Sequence, residues 1–148
     1  MKIFGWGVFP VLVAGVMSLS AWGQGAAATG PVLSKARVYN LDQLAAVKTA
    51  TGGEMRQITT GTLATGEAVS LHETTQVAGA SSTAHRIAHT EFIVVVSGTV
   101  AFEHDGKADR VTQGGVILVT PGTMHSLRNV GDGPAQYCVI AIGGDVKK

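Results

Sequence analysis

The chain has 148 residues, with 11 Lys and Arg, 10 Asp and Glu, 5 His and a formal net charge of +1. That length suits one domain with a modest core rather than two, and a near-neutral balance without a basic run gives no electrostatic basis for nucleic-acid binding. A single cysteine, Cys138, excludes an intramolecular disulfide.

The N-terminal residues differ from the rest. Lys2 is followed by "IFGWGVFPVLVAGVMSLSAW", and Ala21 and Gly23 are the small residues ahead of a cut before Gln24. This is the pattern of a secretory leader. A retained anchor is the alternative, because the apolar run approaches spanning length, but Gly5, Gly7, Pro10 and Gly15 interrupt it. The expected organisation is a signal peptide over 1–23, a flexible linker over 24–34 and one domain over 35–148. The protein is then secreted or periplasmic, with no membrane attachment after cleavage. Losing Lys2 reduces the 11 basic residues to ten, against ten acidic ones. Trp6 and Trp22 leave with the leader, so Tyr39, Phe92, Phe102 and Tyr137 are the remaining aromatics.

"NLDQLAAVK" (40–48) predicts a short helix, with Asn40 or Asp42 near its start and "TATGG" at its end. Beyond it the text reads as strands punctuated by turns. "EMRQITTGTL" and "EAVSLHETTQV" flank "ATGE", "TEFIVVVS" meets "GTVAFEH" at Ser97-Gly98, and Asp105-Gly106 is a two-residue hairpin signal leading into "KADRVT". "VILVT", "MHSLRNV" and "AQYCVIAIGG" follow, separated by "PGT" and "GDGP". Short, regularly spaced strands with little helix predict an all-β sandwich or barrel.

The chemistry is concentrated in "HRIAHTE" (85–91), where His85, Ile87, His89 and Glu91 alternate with Arg86, Ala88 and Thr90. On one strand they would share a face, but a straight strand separates His85 from Glu91 by roughly 20 Å, too far for one metal ion. Either the chain bends between them, or donors come from elsewhere. His125, just after the Pro121-Gly122 turn, is the obvious outside donor. His72 is expected on an exposed strand face and His104 in solvent beside its turn. Cys138 is expected as a buried structural thiol, Arg86 and Arg128 as solvated surface cations, and Asn129 as a support for the turn after His125.

These residues resemble the two motifs of the cupins. Gly79, His85, Ile87, Glu91 and Gly98 keep every spacing of the first, G(x)5HxH(x)3-4E(x)6G. Gly115, Gly122, His125 and Asn129 match the second, G(x)5PxG(x)2H(x)3N, with Pro121 directly beside Gly122 instead of one residue further back. The resemblance implies a double-stranded β-helix, jelly-roll-like barrel. It also implies a divalent transition metal (manganese, iron, nickel, zinc or copper) held by His85, Glu91 and His125. Ile87 stands where cupins carry their second histidine, and His89 is the neighbour able to replace it, giving His85, His89, Glu91 and His125 as the expected ligand set. The alternative is a metal-free barrel in which the histidines hydrogen-bond an organic ligand.

Three functions follow. One is a metal-dependent dioxygenase, isomerase or lyase with Glu91 as a proton acceptor; another is a module that binds a small molecule; the third is metal storage outside the cytoplasm. The reading adopted is a secreted metal-binding cupin with a small-molecule ligand, leaving catalysis open. Cupins are often dimeric, and the apolar "FIVVV" face is costly to leave in water, so a homodimer is expected.

Overall fold

The alternating Thr, Val and Ile segments pair into ten strands in the computed structural model, which describes residues 30–144. The expected leader and residues 24–29 of the expected linker lie outside the described residues. The strands are β1 (Val47–Lys48), β2 (Glu54–Thr62), β3 (Ala68–Gln76), β4 (His85–Arg86) and β5 (Thr90–Ser97), then β6 (Thr99–His104), β7 (Lys107–Thr112), β8 (Val116–Val119), β9 (Met124–Asn129) and β10 (Ala135–Ile142). They form two antiparallel sheets, one of six strands in the order β1-β2-β3-β10-β5-β8 and one of four in the order β4-β9-β6-β7.

The helix expected over 40–48 is reduced to one 3-10 turn, Leu41–Gln43, with no side-chain cap. Tertiary pairing overrides helix propensity here: Val47 and Lys48 lie opposite Met55 and Glu54 in β2, and Lys48 Nζ donates to Glu54 at 2.7 Å. The Asp105-Gly106 hairpin forms as expected. Both residues have positive φ, 47° and 74°, which suits the twist of a two-residue turn, and His104 pairs with Lys107.

Gly98 makes a corner instead of a hairpin. The chain passes there from β5 in the larger sheet to β6 in the smaller. Its φ is +76°, and a Cβ would lie 2.8 Å from Ala135 Cα, so glycine is required on both counts.

The core lies between the sheets. Along β5 the odd positions Glu91, Ile93 and Val95 are buried, while Phe92 and Val96 face outward, 38% and 44% exposed. Ile93, Val95 and Val139 from the larger sheet cluster with Val100, Phe102 and Leu127 from the smaller. Burial of each such side chain contributes about 1.5–3 kcal/mol. On the outer face Phe92 lies opposite Leu118, and Val94 opposite Val116, leaving an apolar patch in which Val116 and Leu118 are more than half exposed.

Candidate ligand cavity

A cavity of about 300 Å³ opens between the sheets, and His72, Gln76, His85, Glu91, His125 and Tyr137 are among its lining residues. The strand pairing explains how distant residues reach it. His85 belongs to β4 in the small sheet and Glu91 to β5 in the large one, and the chain bends at Ala88 and His89 between them. This is the bend that a shared site requires. His125 arrives from the second motif by register, lying opposite His85, and the Gly122 N–H donates to Ile87 O at 2.8 Å to hold the two motifs together. Arg86 Nη1 also donates to the Gly122 carbonyl, so its charge is spent on the turn instead of on solvent alone.

The four expected ligands do come together, but as a row. His89 Nε2 is 2.8 Å from Glu91 Oε1, and His125 Nε2 is 3.8 Å from Glu91 Oε2. The His125 ring lies 4.7 Å from that of His85, centroid to centroid. Among the described residues, no three His, Cys, Asp or Glu side chains converge as a metal ion requires. His89 contacts Glu91 without belonging to the cavity wall. Ile87, 7% exposed, is packed in the core. The bend interrupts strand alternation, so His85, Ile87, His89 and Glu91 do not share one face.

Two imidazoles are anchored alike. His85 Nδ1–H donates to Thr83 O at 2.9 Å and His125 Nδ1–H to Thr123 O at 3.2 Å, which leaves each neutral ring with its lone pair on Nε2. Burial pushes the His125 pKa down, the Thr123 hydrogen bond opposes this, and His85 adds to the lowering.

His72 departs from expectation. It is half-buried and lines the cavity, because β3 turns its even positions inward, where sequence reasoning placed His72 on an exposed face. Desolvation lowers its pKa, and the charges of Glu91 and Glu73 partly offset that. Gln76 and Tyr137 were also missed. Burial pushes the Tyr137 phenol up to about 12, with a hydrogen bond to Thr74 working the other way, so it remains a neutral hydroxyl. Outside the cavity, His104 is half-buried rather than solvated, with its ring stacked 4.5 Å from Phe102 and Nε2 2.8 Å from Asp109. Those carboxylate partners, Asp109 and then Asp105, raise its pKa. Cys138 is only partly buried, Arg128 pairs with Glu103 at 2.8 Å, and Asn129 supports the turn as expected.

The architecture has clear relatives among solved structures. KdgF from Halomonas sp. superposes with a TM-score of 0.63 at 15% identity, over 72% of this chain and 94% of that one. A sugar phosphate isomerase of the cupin superfamily from Silicibacter pomeroyi gives 0.60 at 15%, over 73% and 76%. Residues 71–141 match the Cupin domain family. The fold is that of a cupin. The polyketide cyclase RemF from Streptomyces resistomycificus is similar to it as well, with a TM-score of 0.60 at 15% identity over 74% of this chain and 81% of that one. No curated protein sequence matches the chain. The double-stranded β-helix expected from the two motifs is therefore the observed fold, with Gly98 and Gly122 at turns of the barrel, both at positive φ.

Proposed function

We propose that this cupin binds a small neutral molecule in its barrel, with Glu91 and the histidines at the polar end of the cavity. One observation carries the reading: among the described residues the wall contains one carboxylate, Glu91, and no lysine or arginine. An anionic ligand would meet a carboxylate and no cation, whereas a hydroxyl can donate to Glu91 or to an imidazole Nε2. Ile93, Leu127 and Val139 supply the apolar part of the wall, and a volume near 300 Å³ is at the small end of ligand sites, which suits a single ring. The same wall argues against a phosphorylated substrate of the kind named for the Silicibacter protein. Glu91, hydrogen-bonded by His89, is also the group equipped to accept a proton from a bound hydroxyl.

The test uses benzyl alcohol and benzoate as probes in ligand-observed NMR. The alcohol should bind at least about tenfold more tightly than the carboxylate, a difference of about 1.4 kcal/mol, and Glu91→Gln should narrow the gap by admitting benzoate. Preferential binding of benzoate by the wild type would overturn the reading.

A second reading, a divalent transition metal at His85, Glu91 and His125, is favoured by the Nδ1 anchors on His85 and His125, since metal-binding histidines are commonly oriented this way. The residues as arranged do not form a metal shell, and binding would require Glu91 to exchange His89 for the ion. Secretion and cleavage before Gln24 belong to the same proposal, and the intact mass of the exported chain tests them. So does a homodimer, in which the Phe92–Leu118 face of one protomer covers that of another. Sedimentation showing only monomer at high concentration would count against it.

A further inference from the structure

The side chain of Gln76 is the one buried polar group of the wall left half satisfied among the described residues. It is 3% exposed, and its Nε2 donates to Leu127 O at 3.2 Å, joining the two sheets across the cavity. Its Oε1 is buried and has no hydrogen-bond partner. The orientation of the amide follows from its surroundings: a flipped amide would set Oε1 against the Leu127 carbonyl, an acceptor facing an acceptor. The backbone is held as well, because Asn129 Nδ2 donates to Gln76 O at 3.0 Å. An acceptor is therefore fixed in the wall, away from water, with nothing donating to it. Such groups are rare in folded proteins and call for a partner.

The position within the cavity indicates what that partner is. His72, Thr74 and Gln76 are successive inward residues of β3, each step about 6.6 Å along the strand. Thr74 lies opposite Tyr137 in β10, and His72 opposite Val139. The Tyr137 hydroxyl is engaged with Thr74. Gln76 Oε1 is thus a second polar point of the wall, two inward positions along β3 from His72.

We infer that Gln76 is a specificity-determining residue whose Oε1 accepts a hydrogen bond from a hydroxyl or N–H of the bound molecule. The cavity then selects neutral ligands that carry a donor at the Gln76 end and discriminates against analogues in which that donor is methylated. A site built around a buried acceptor penalises the analogue, because the acceptor then stays desolvated and unpaired. The inference rests on the neutral-ligand reading above and adds to it the direction and identity of one contact.

Phenol and anisole differ only in this donor and serve as probes, followed by chemical-shift perturbation in the wild-type protein. Phenol should bind about tenfold more tightly than anisole and should shift the Gln76 side-chain amide resonances. Gln76→Met, which keeps the length and removes the oxygen acceptor, should bring the two affinities within about twofold. That variant also loses the link to Leu127, so a crystal of the wild type soaked in phenol provides a measurement without mutation. The phenol oxygen should lie within hydrogen-bond distance of Gln76 Oε1. Equal binding of phenol and anisole by the wild type, or an ordered water that phenol leaves in place on Oε1, would overturn the assignment while leaving the cavity a ligand site. Failure of both probes to bind would overturn both.

Discussion

Asn129→Ala should lower the free energy of unfolding by about 3 kcal/mol, from three hydrogen bonds of a buried side chain at about 1 kcal/mol each. Asn129 is 1% exposed. Its Nδ2 donates to Gln76 O at 3.0 Å and Gly133 O at 2.9 Å, and its Oδ1 accepts from the Gly131 N–H at 3.0 Å. One side chain thus ties β3, the end of β9 and the turn before β10. Asn129→Asp discriminates this account from simple loss of volume. Aspartate keeps the acceptor but has no donor, so two carbonyls would face a carboxylate, and it should be less stable than the alanine variant at neutral pH. Its folded-state pKa would be raised, so stability should recover as pH falls and the carboxyl gains a proton to donate. Urea denaturation of both variants across pH checks the order. An aspartate variant as stable as wild type at neutral pH would refute the donor role.

Ile87→His has the second large expected effect, and metal should offset it. Ile87 is a buried core residue, and exchanging it for an imidazole should destabilise the protein by about 2–3 kcal/mol without metal. Histidine is the donor that the cupin motif carries at this position, and a metal shell completed by it would require the ring to turn from the core towards His85, Glu91 and His125. A metal bound only by the folded state then restores stability by mass action, about 2.7 kcal/mol at a hundredfold excess over Kd. Thermal melts with manganese, iron, nickel, zinc or copper should therefore show a larger upward shift in the variant than in the wild type. Equal shifts would mean that residue 87 does not complete a metal shell. Adding His89→Ala separates the roles of the neighbours. Loss of wild-type metal binding in that variant, as severe as in His125→Ala, would show His89 to be a ligand rather than the hydrogen-bond partner of Glu91.

How far these features could be read from residues alone depends on what sets each of them. Local rules suffice for the Asp105-Gly106 hairpin and the alternation along β5, and motif spacing brings His85, Glu91 and His125 to one cavity. The phase of a strand is harder, since a one-residue change exchanges its two faces. Where the chain bends at Ala88 and His89, that phase resets, which is why His89 leaves the wall and Ile87 enters the core. His72 and Gln76 face inward because of how β3 pairs with β10, a partner more than fifty residues further on. The 40–48 segment has helical composition, but Val47 and Lys48 are taken by β2. Nothing in the local text signals either outcome.

The place of β10 has a further consequence, in time rather than space. This strand lies between β3 and β5, yet it is synthesised after both. Until it emerges from the ribosome, β3 and β5 have no common neighbour, and the six-stranded sheet remains in two unconnected halves. Non-local pairing of this kind slows folding, so the larger sheet closes only when the last strand is available. The export proposed above would draw on the same order of events, since the larger sheet cannot close before its last strand is made.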